Sequence, residues 1–332
     1  MFFSKKREIE ISKRSREIKN EALANIKLDR CLICEKDSSS FCNSHSIPRF
    51  ILANIAEDGI VYTPEEAKNG GKIIHKNVYE SIVGINKAKV FRNICNECDN
   101  DIFNLVEDKT VLEKEFTDKE YTLYTLKILL HDIYIKFFTS ELFTLGKRQQ
   151  GIARAIKIPW LLDVQDMLKE KEEYVSAIKV GKNIRNNIIL DTIINKKTKF
   201  ACITKVTLNF SYTGKKLYNL TDYQMRFGHI YILVLPYDEC HTKVCMYYRR
   251  KYKIYNEVKD EFNKFTLEEK LQAISNLIIM HTEDFVCNYE VIEKLKDIRT
   301  ILQEEAVDLD YSEDYLKRIN ELNKKGINLF NF

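Results

Sequence analysis

Four cysteines fall in two pairs: Cys31 and Cys34 in CLICEKDSSSFCNSHSIPRF, and Cys95 and Cys98 in RNICNECDNDIF. A Cys-x-x-Cys turn can present two thiolates to one tetrahedral zinc at about 2.3 Å, and two such turns complete its ligand set. The spacing therefore predicts a structural zinc on Cys31, Cys34, Cys95 and Cys98. Two alternatives stay open: Cys42 could replace one ligand, or the four thiols could be buried or redox-active without metal. The chain holds nine cysteines, an odd number, and its first residues, MFFSKKREIEIS, put charges where a secretory signal needs apolar residues. Both features favour metal binding over a disulfide framework and point to a cytoplasmic protein. The other cysteines, Cys202, Cys240, Cys245 and Cys287 among them, read as buried thiols.

The elements that must position these ligands can be read locally. The first pair is expected on a knuckle, followed by a short strand around Phe41 to His45. A second strand is expected around Lys89 to Ile94, with a helix opening near Asn96. A knuckle and a helix N-terminus each giving two ligands is the treble-clef arrangement. In that arrangement His45, between the two pairs in sequence, would face Asp99 and Asn100. A lone histidine is more often structural, and here the surrounding ligands single it out. Asp99 lies four residues after Cys95, on the same helical face. The long segment between the halves, EDGIVYTPEEAKNGGKIIHKNVYESIVGINK, reads as an insertion with a turn at Asn69-Gly70-Gly71.

Taken in order, CLIC, NSHSIP and CNECDN resemble the zinc-stabilised HNH, or His-Me finger, endonucleases of the recombination endonuclease VII type, over about 85 residues, Cys31 to Glu115. The resemblance implies a ββα-metal nuclease module in which His45 is the general base and Asp99 holds a catalytic Mg²⁺ or Mn²⁺. Ser44 and Asn100 are further candidates for contact with that ion. Asp is common at the position of Ser44, and Asn at that of Asp99, so the sequence departs from the family pattern twice. The implied substrate is nucleic acid, DNA in preference to RNA, and Arg49, Lys87, Lys89 and Arg92 flank the hairpin as candidate phosphate contacts. Solvated surface charge is the plain alternative for those four. Standalone HNH proteins with large accessory regions suggest a restriction or phage-defence effector. A non-catalytic zinc module that binds nucleic acid or protein is the rival reading.

The 332 residues are long enough for two domains, and the composition, 45% apolar and 31% charged, is that of a helix-leaning globular protein. The net charge of +4 resides wholly in residues 1–30. These carry nine Lys/Arg against five Asp/Glu and place Ile9, Ile11, Ile18, Ala22 and Ile26 on an amphipathic basic helix. The expected division is that helix at 1–30, the nuclease-like module at 31–115 and an α+β accessory region at 116–332. The accessory region carries long amphipathic helices in TLYTLKILLHDIYIKFF and WLLDVQDMLKEKEEYVSAI. FACITKVTLNFSY and HIYILVLPYDECHTKVCMYYRRKYKIY read as strands of a small antiparallel sheet. Closing helices are expected at Leu267 to His281, Tyr289 to Glu304 and Ser312 to Lys325. No stretch is long and apolar enough for a membrane span. The accessory region is where a protein partner or a second copy of the chain would dock. Within it, YYRRKYK has the mix of rings and cations found in single-strand platforms, although an ordinary sheet strand has it too. His131 reads as a core histidine, and His229, His241, Cys240 and Cys245 as a weak second metal candidate.

Overall fold

The structure, a computed structural model, describes residues 17, 20–26, 28–37, 41–63, 81–145, 150–219, 225–282, 284–296 and 312–332. Much of the basic leader and the Asn69-Gly70-Gly71 turn therefore lie outside the described residues. Within the leader, residues 20–25 are helical and Ala22 is buried.

The fold is α+β. In chain order come β1 (Ser44–His45), α1 (Arg49–Ile55), β2 (Ile60–Thr63), β3 (Ser81–Gly84), β4 (Val90–Phe91) and α2 (Asn96–Phe103). Next are two long helices, α3 (Asp118–Leu145) and α4 (Gln150–Lys179), then β5 (Asn186–Ile194), β6 (Phe200–Val206), β7 (Ile230–Pro236) and β8 (Thr242–Arg249). The last elements are α5 (Asn256–Phe262), α6 (Leu267–His281), β9 (Phe285–Cys287), α7 (Tyr289–Lys296) and α8 (Ser312–Lys324).

The main sheet is larger than the small one expected. Among the described residues it has seven antiparallel strands in the order β3-β2-β9-β6-β7-β8-β5. Every residue of β7 and β8 is buried, because both faces of the sheet are covered. Tyr231, Leu233, Leu235 and Tyr247 belong to the core that includes α3, while Ile230, Ile232, Val234 and Tyr248 pack with α5, α6 and α7. Alternate residues of one strand thus enter different cores, which is why HIYILVLP shows no polar alternation. Helix α6 starts where its residues dictate: Thr266 accepts from the Glu269 amide and the Glu269 carboxylate accepts from the Thr266 amide, a capping box.

Helix α3 has little polar face over Tyr121–Ile133 because it is buried against the sheet on one side and the cysteine region on the other. Asn93 donates to the Leu130 carbonyl at 2.7 Å, and the Phe91 ring meets the His131 ring edge-on. Ile33, Ile47, Phe91, Ile94 and Phe103 share one continuous core with Leu126, Leu129 and Leu130. The sequence boundary at 115/116 falls between a 3-10 turn and α3, and two features cross it. One is this core, and the other is the β2–β3 hairpin, which joins the main sheet through Tyr62 opposite Cys287. The segment read as an insertion therefore supplies the β3 edge of the sheet.

Candidate metal centre and histidine site

Residues 31–36 form a tight knuckle. The Cys31 amide donates to the Lys36 carbonyl at 3.1 Å, the Glu35 amide donates to the Cys31 carbonyl at 2.9 Å, and Glu35 takes a left-handed φ of 61° to close the turn. Two backbone bonds lay the knuckle against the start of α2: Leu32 N to Asn93 O at 2.9 Å and Cys42 N to Ile94 O at 3.0 Å. Lys171 of α4 adds a third tie by donating its Nζ to the Leu32 carbonyl at 2.7 Å. Cys95 is the N-cap of α2, and the Asp99 amide donates to its carbonyl at 3.0 Å.

These bonds bring the four predicted ligands together. The sulfur atoms of Cys31, Cys34, Cys95 and Cys98 all lie within 4.8 Å of one another, with Cys34 and Cys95 at 3.9 Å. Burial pushes the Cys98 thiol far up, with the sulfurs of Cys95, Cys31 and Cys34 adding to it; burial also raises Cys95, where bonds from Cys98 oppose the rise and Cys31 reinforces it. At Cys31 burial also raises the thiol, but the Cys34, Cys95 and Ile33 backbone N–H groups outweigh it and bring it to about 7. Four mutually crowded sulfurs cannot all ionise without a cation among them. A soft divalent ion removes that penalty, and an all-sulfur donor set of this size suits zinc. The cluster can hold a structural metal such as zinc. Cys42 stands apart from it: its thiol donates to the Ile94 carbonyl at 3.4 Å, and burial, then the Asp99 carboxylate, push it up to about 12.

Strands β1 and β4 pair antiparallel, Ser44 opposite Phe91 and His45 opposite Val90, beside α2. Successive side chains of β1 point to opposite sides, so the neighbours differ from those expected. The residue meeting Asp99 is Ser44, whose buried hydroxyl donates to Asp99 Oδ1 at 2.7 Å. The His45 ring turns the other way, to the turn before β4, where Nε2 donates to the Ile85 carbonyl at 3.0 Å. A carbonyl only accepts, so Nε2 carries the proton and Nδ1 is the basic nitrogen. Burial lowers the His45 pKa below 6.5; the Ile85 bond opposes this, and the charges of Lys127 and Arg49 reinforce it. The imidazole is therefore neutral near pH 7.

Of the four candidate phosphate contacts, Arg49, Lys87 and Arg92 are exposed. Lys89 is not: its side chain is buried and its ammonium pairs with Asp284 at 3.2 Å. Asn100 is exposed on α2. The YYRRKYK platform is absent, because Tyr247 and Tyr248 are core residues of an interior strand and Arg249 pairs with Glu173. His229 shares a hydrogen bond with Thr207 Oγ1, His241 lies against Asp238, Cys245 is buried and Cys240 exposed, and these four form no metal cluster among the described residues.

Sequence reasoning missed two groups near the site. Lys127, fully buried on α3, pairs with Glu107 and lies over the Phe103 ring at 5.0 Å. A single lysine inside the apolar run TLYTLKILL was the available signal, since a buried ammonium requires a partner. The second is a charged group around His131, Asp132 and Asp284, whose ligand-type atoms lie within 4.8 Å of one another. Lys205 pairs with Asp132 at 3.1 Å and Lys89 with Asp284, so both carboxylates are already neutralised by ammonium groups. No helix among the described residues is long and apolar enough to cross a membrane.

The chain matches no protein-family model, no curated protein and no solved structure.

Proposed function

We propose that the chain is a cytoplasmic, zinc-stabilised endonuclease of the HNH type that hydrolyses phosphodiester bonds in nucleic acid, with DNA the first substrate to test. In this reading the cysteine knuckle, the β1–β4 pair and α2 form a treble clef. The observation that carries it is the state of His45: a neutral imidazole, protonated at Nε2 by its bond to Ile85, with Nδ1 as the basic nitrogen, on a strand whose neighbouring residue touches Asp99.

The chemistry follows from those groups. His45 Nδ1 takes a proton from water as the water oxygen bonds to phosphorus; the P–O3′ bond breaks, and a proton restores the leaving hydroxyl. Asp99, on the opposite side of β1 from the His45 ring, is the group that would hold an oxygen-preferring divalent ion, with the Ser44 hydroxyl orienting its carboxylate, and this reading requires the substrate to reach both groups across the strand. The ion supplies charge neutralisation at the scissile phosphate and the departing oxygen. A single carboxylate is a short donor set, and it fits Mg²⁺ or Mn²⁺ because such ions keep several waters and take substrate oxygens. Arg49, Lys87 and Arg92 are the exposed cations for backbone contact.

The test is nicking of supercoiled plasmid in Mg²⁺ and in Mn²⁺ by wild type and His45→Ala, with zinc content and melting temperature measured on both. His45-dependent nicking with zinc retained supports the nuclease. One observation favours a second reading. Ser44 stands where a carboxylate would strengthen the ion site, and its proton occupies an Asp99 oxygen. Intact plasmid together with a retained gel shift would make the chain a zinc-stabilised binding module.

A further inference from the structure

The ring of His45 is set by the turn between β3 and β4, and what holds that turn is far away in sequence. The turn is closed on itself by the Lys87 and Ala88 amides, which donate to the Gly84 carbonyl at 2.8 and 3.1 Å. It is tied to the β2 hairpin by Ile85 N to Gly59 O at 3.1 Å, and its Ile85 carbonyl receives the His45 Nε2 proton. Its last residue, Lys89, has two unusual properties. Its φ is 54°, the left-handed region that a residue with a long side chain seldom occupies. Its carbonyl accepts from the amide of Ser46, the residue immediately after His45, at 2.9 Å.

A left-handed lysine persists only where its surroundings impose that conformation, and here they do. The ammonium is buried and pairs with Asp284 at 3.2 Å, next to Asp132, Lys205 and His131. Asp284 is itself anchored: its amide donates to Thr282 Oγ1 at 2.9 Å and its carbonyl accepts from Cys202 of β6 at 3.5 Å. A chain of contacts thus runs from the main sheet through Asp284 and Lys89 to the Ser46 amide next to His45 and, along the 84–89 turn, to the Ile85 carbonyl that meets its ring.

We propose that Lys89 and Asp284 are positioning residues for His45: their buried ion pair holds the 84–89 turn so that the Ile85 carbonyl fixes the imidazole with its proton on Nε2. The proposal rests on the nuclease reading, in which His45 is the base. It gives the region after residue 116 a task in that reading, since the accessory sheet itself sets the geometry of the reacting nitrogen. It also replaces the expected role of Lys89 as a phosphate contact.

The experiment uses the full chain, zinc-loaded, with ¹⁵N-labelled histidine, and reads the His45 tautomer from its two ring-nitrogen shifts in wild type, Lys89→Met, Lys89→Arg and Asp284→Asn. Plasmid nicking is measured on the same samples. Lys89→Met and Asp284→Asn are expected to move His45 from one Nε2–H tautomer to a mixture and to slow nicking by about tenfold, the worth of one hydrogen bond. Lys89→Arg is expected to keep both close to wild type. Asp284→Asn keeps the side chain's size and a carbonyl for Lys89, so it serves where Lys89→Met fails to fold. An unchanged tautomer in folded Lys89→Met or Asp284→Asn overturns the proposal, even if nicking falls. A tautomer that shifts as expected in a protein that never cuts upholds the clamp and removes only the nuclease reading.

Discussion

Replacing Ser44 with Asp places a second carboxylate against Asp99, and the outcome depends on whether a divalent ion is present. The wild-type hydroxyl reaches Asp99 Oδ1 across 2.7 Å, and Ser44 is only 2% exposed, so the new charge cannot turn to solvent without disturbing β1. Two unit charges about 4 Å apart repel by about 4 kcal/mol at the effective dielectric of a protein near its surface. The variant also forfeits a hydrogen bond to a charged acceptor, worth about 1.5–3 kcal/mol. Ser44→Asp at neutral pH, in buffer stripped of divalent ions, should therefore unfold with on the order of 5 kcal/mol less free energy than wild type. A divalent ion held between the two carboxylates reverses the effect and returns about 2.7 kcal/mol at a hundred times its Kd. The assay is urea unfolding of zinc-loaded wild type and variant, each with and without Mg²⁺ or Mn²⁺. Equal stability in stripped buffer would refute the placement of residue 44 against Asp99. A destabilised variant that neither ion rescues would refute Asp99 as an ion ligand.

Other expectations follow from the same geometry. Purified chain should carry one zinc, and Cys98→Ser should lose it together with the amide-exchange protection of residues 31–37 and 95–103, while β7 and β8 stay protected; full zinc in Cys98→Ser would place the metal elsewhere. The acid limb of the nicking rate should have its midpoint below 6.5, because burial, reinforced by Lys127 and Arg49, depresses the His45 pKa; a midpoint above that value would mean the ring is not in the buried setting described. Asp132 is depressed despite its burial, because Lys205 and His131 outweigh it. Its stabilisation is therefore complete above the ordinary value of 3.8 and is lost as pH falls through and below it. Asp132→Asn should lower stability at pH 7 by on the order of 2 kcal/mol and leave a flatter acid limb in denaturant titrations, and parallel curves for the two proteins would count against it. Thr266→Ala removes the capping box of α6 and should cost about 1 kcal/mol, checked by thermal unfolding.

What could be read in the sequence was what local physics decides. The cysteine pairs, the opening of α2 at Asn96 and the span Leu267–His281 were all legible, because turn spacing, helix polarity and the Thr266–Glu269 pair act over a few residues. Strand β5 went unread: NNIILDTII sits at the edge of the sheet with half-exposed residues through most of its length, so it has neither a continuous apolar run nor a clean alternation. The partners of β2 were hidden for another reason, since pairing with β9 leaves no mark in IVYT itself. The burial of Lys89 leaves no local mark, because it is imposed by Asp284, 195 residues away. The residue meeting Asp99 is Ser44, one position from the expected His45, and in a strand one residue changes the face.

The pairing of Tyr62 with Cys287 has a consequence in time. The Cys287 thiol lies against the Tyr62 carbonyl across 225 residues of chain. A ribosome adding about 5–20 residues per second needs roughly 10–45 s to synthesise that interval. Until it ends, β2 and β3 have no sheet to join and Lys89 has no Asp284. The cysteine knuckle and α2 can take up metal early, while the histidine site settles only when the last strand of the main sheet arrives. All four clustered cysteines are thus synthesised long before the histidine site can be assembled, and nascent chains lacking Phe285–Cys287 would leave the β2 and β6 edges open to each other and to neighbouring chains.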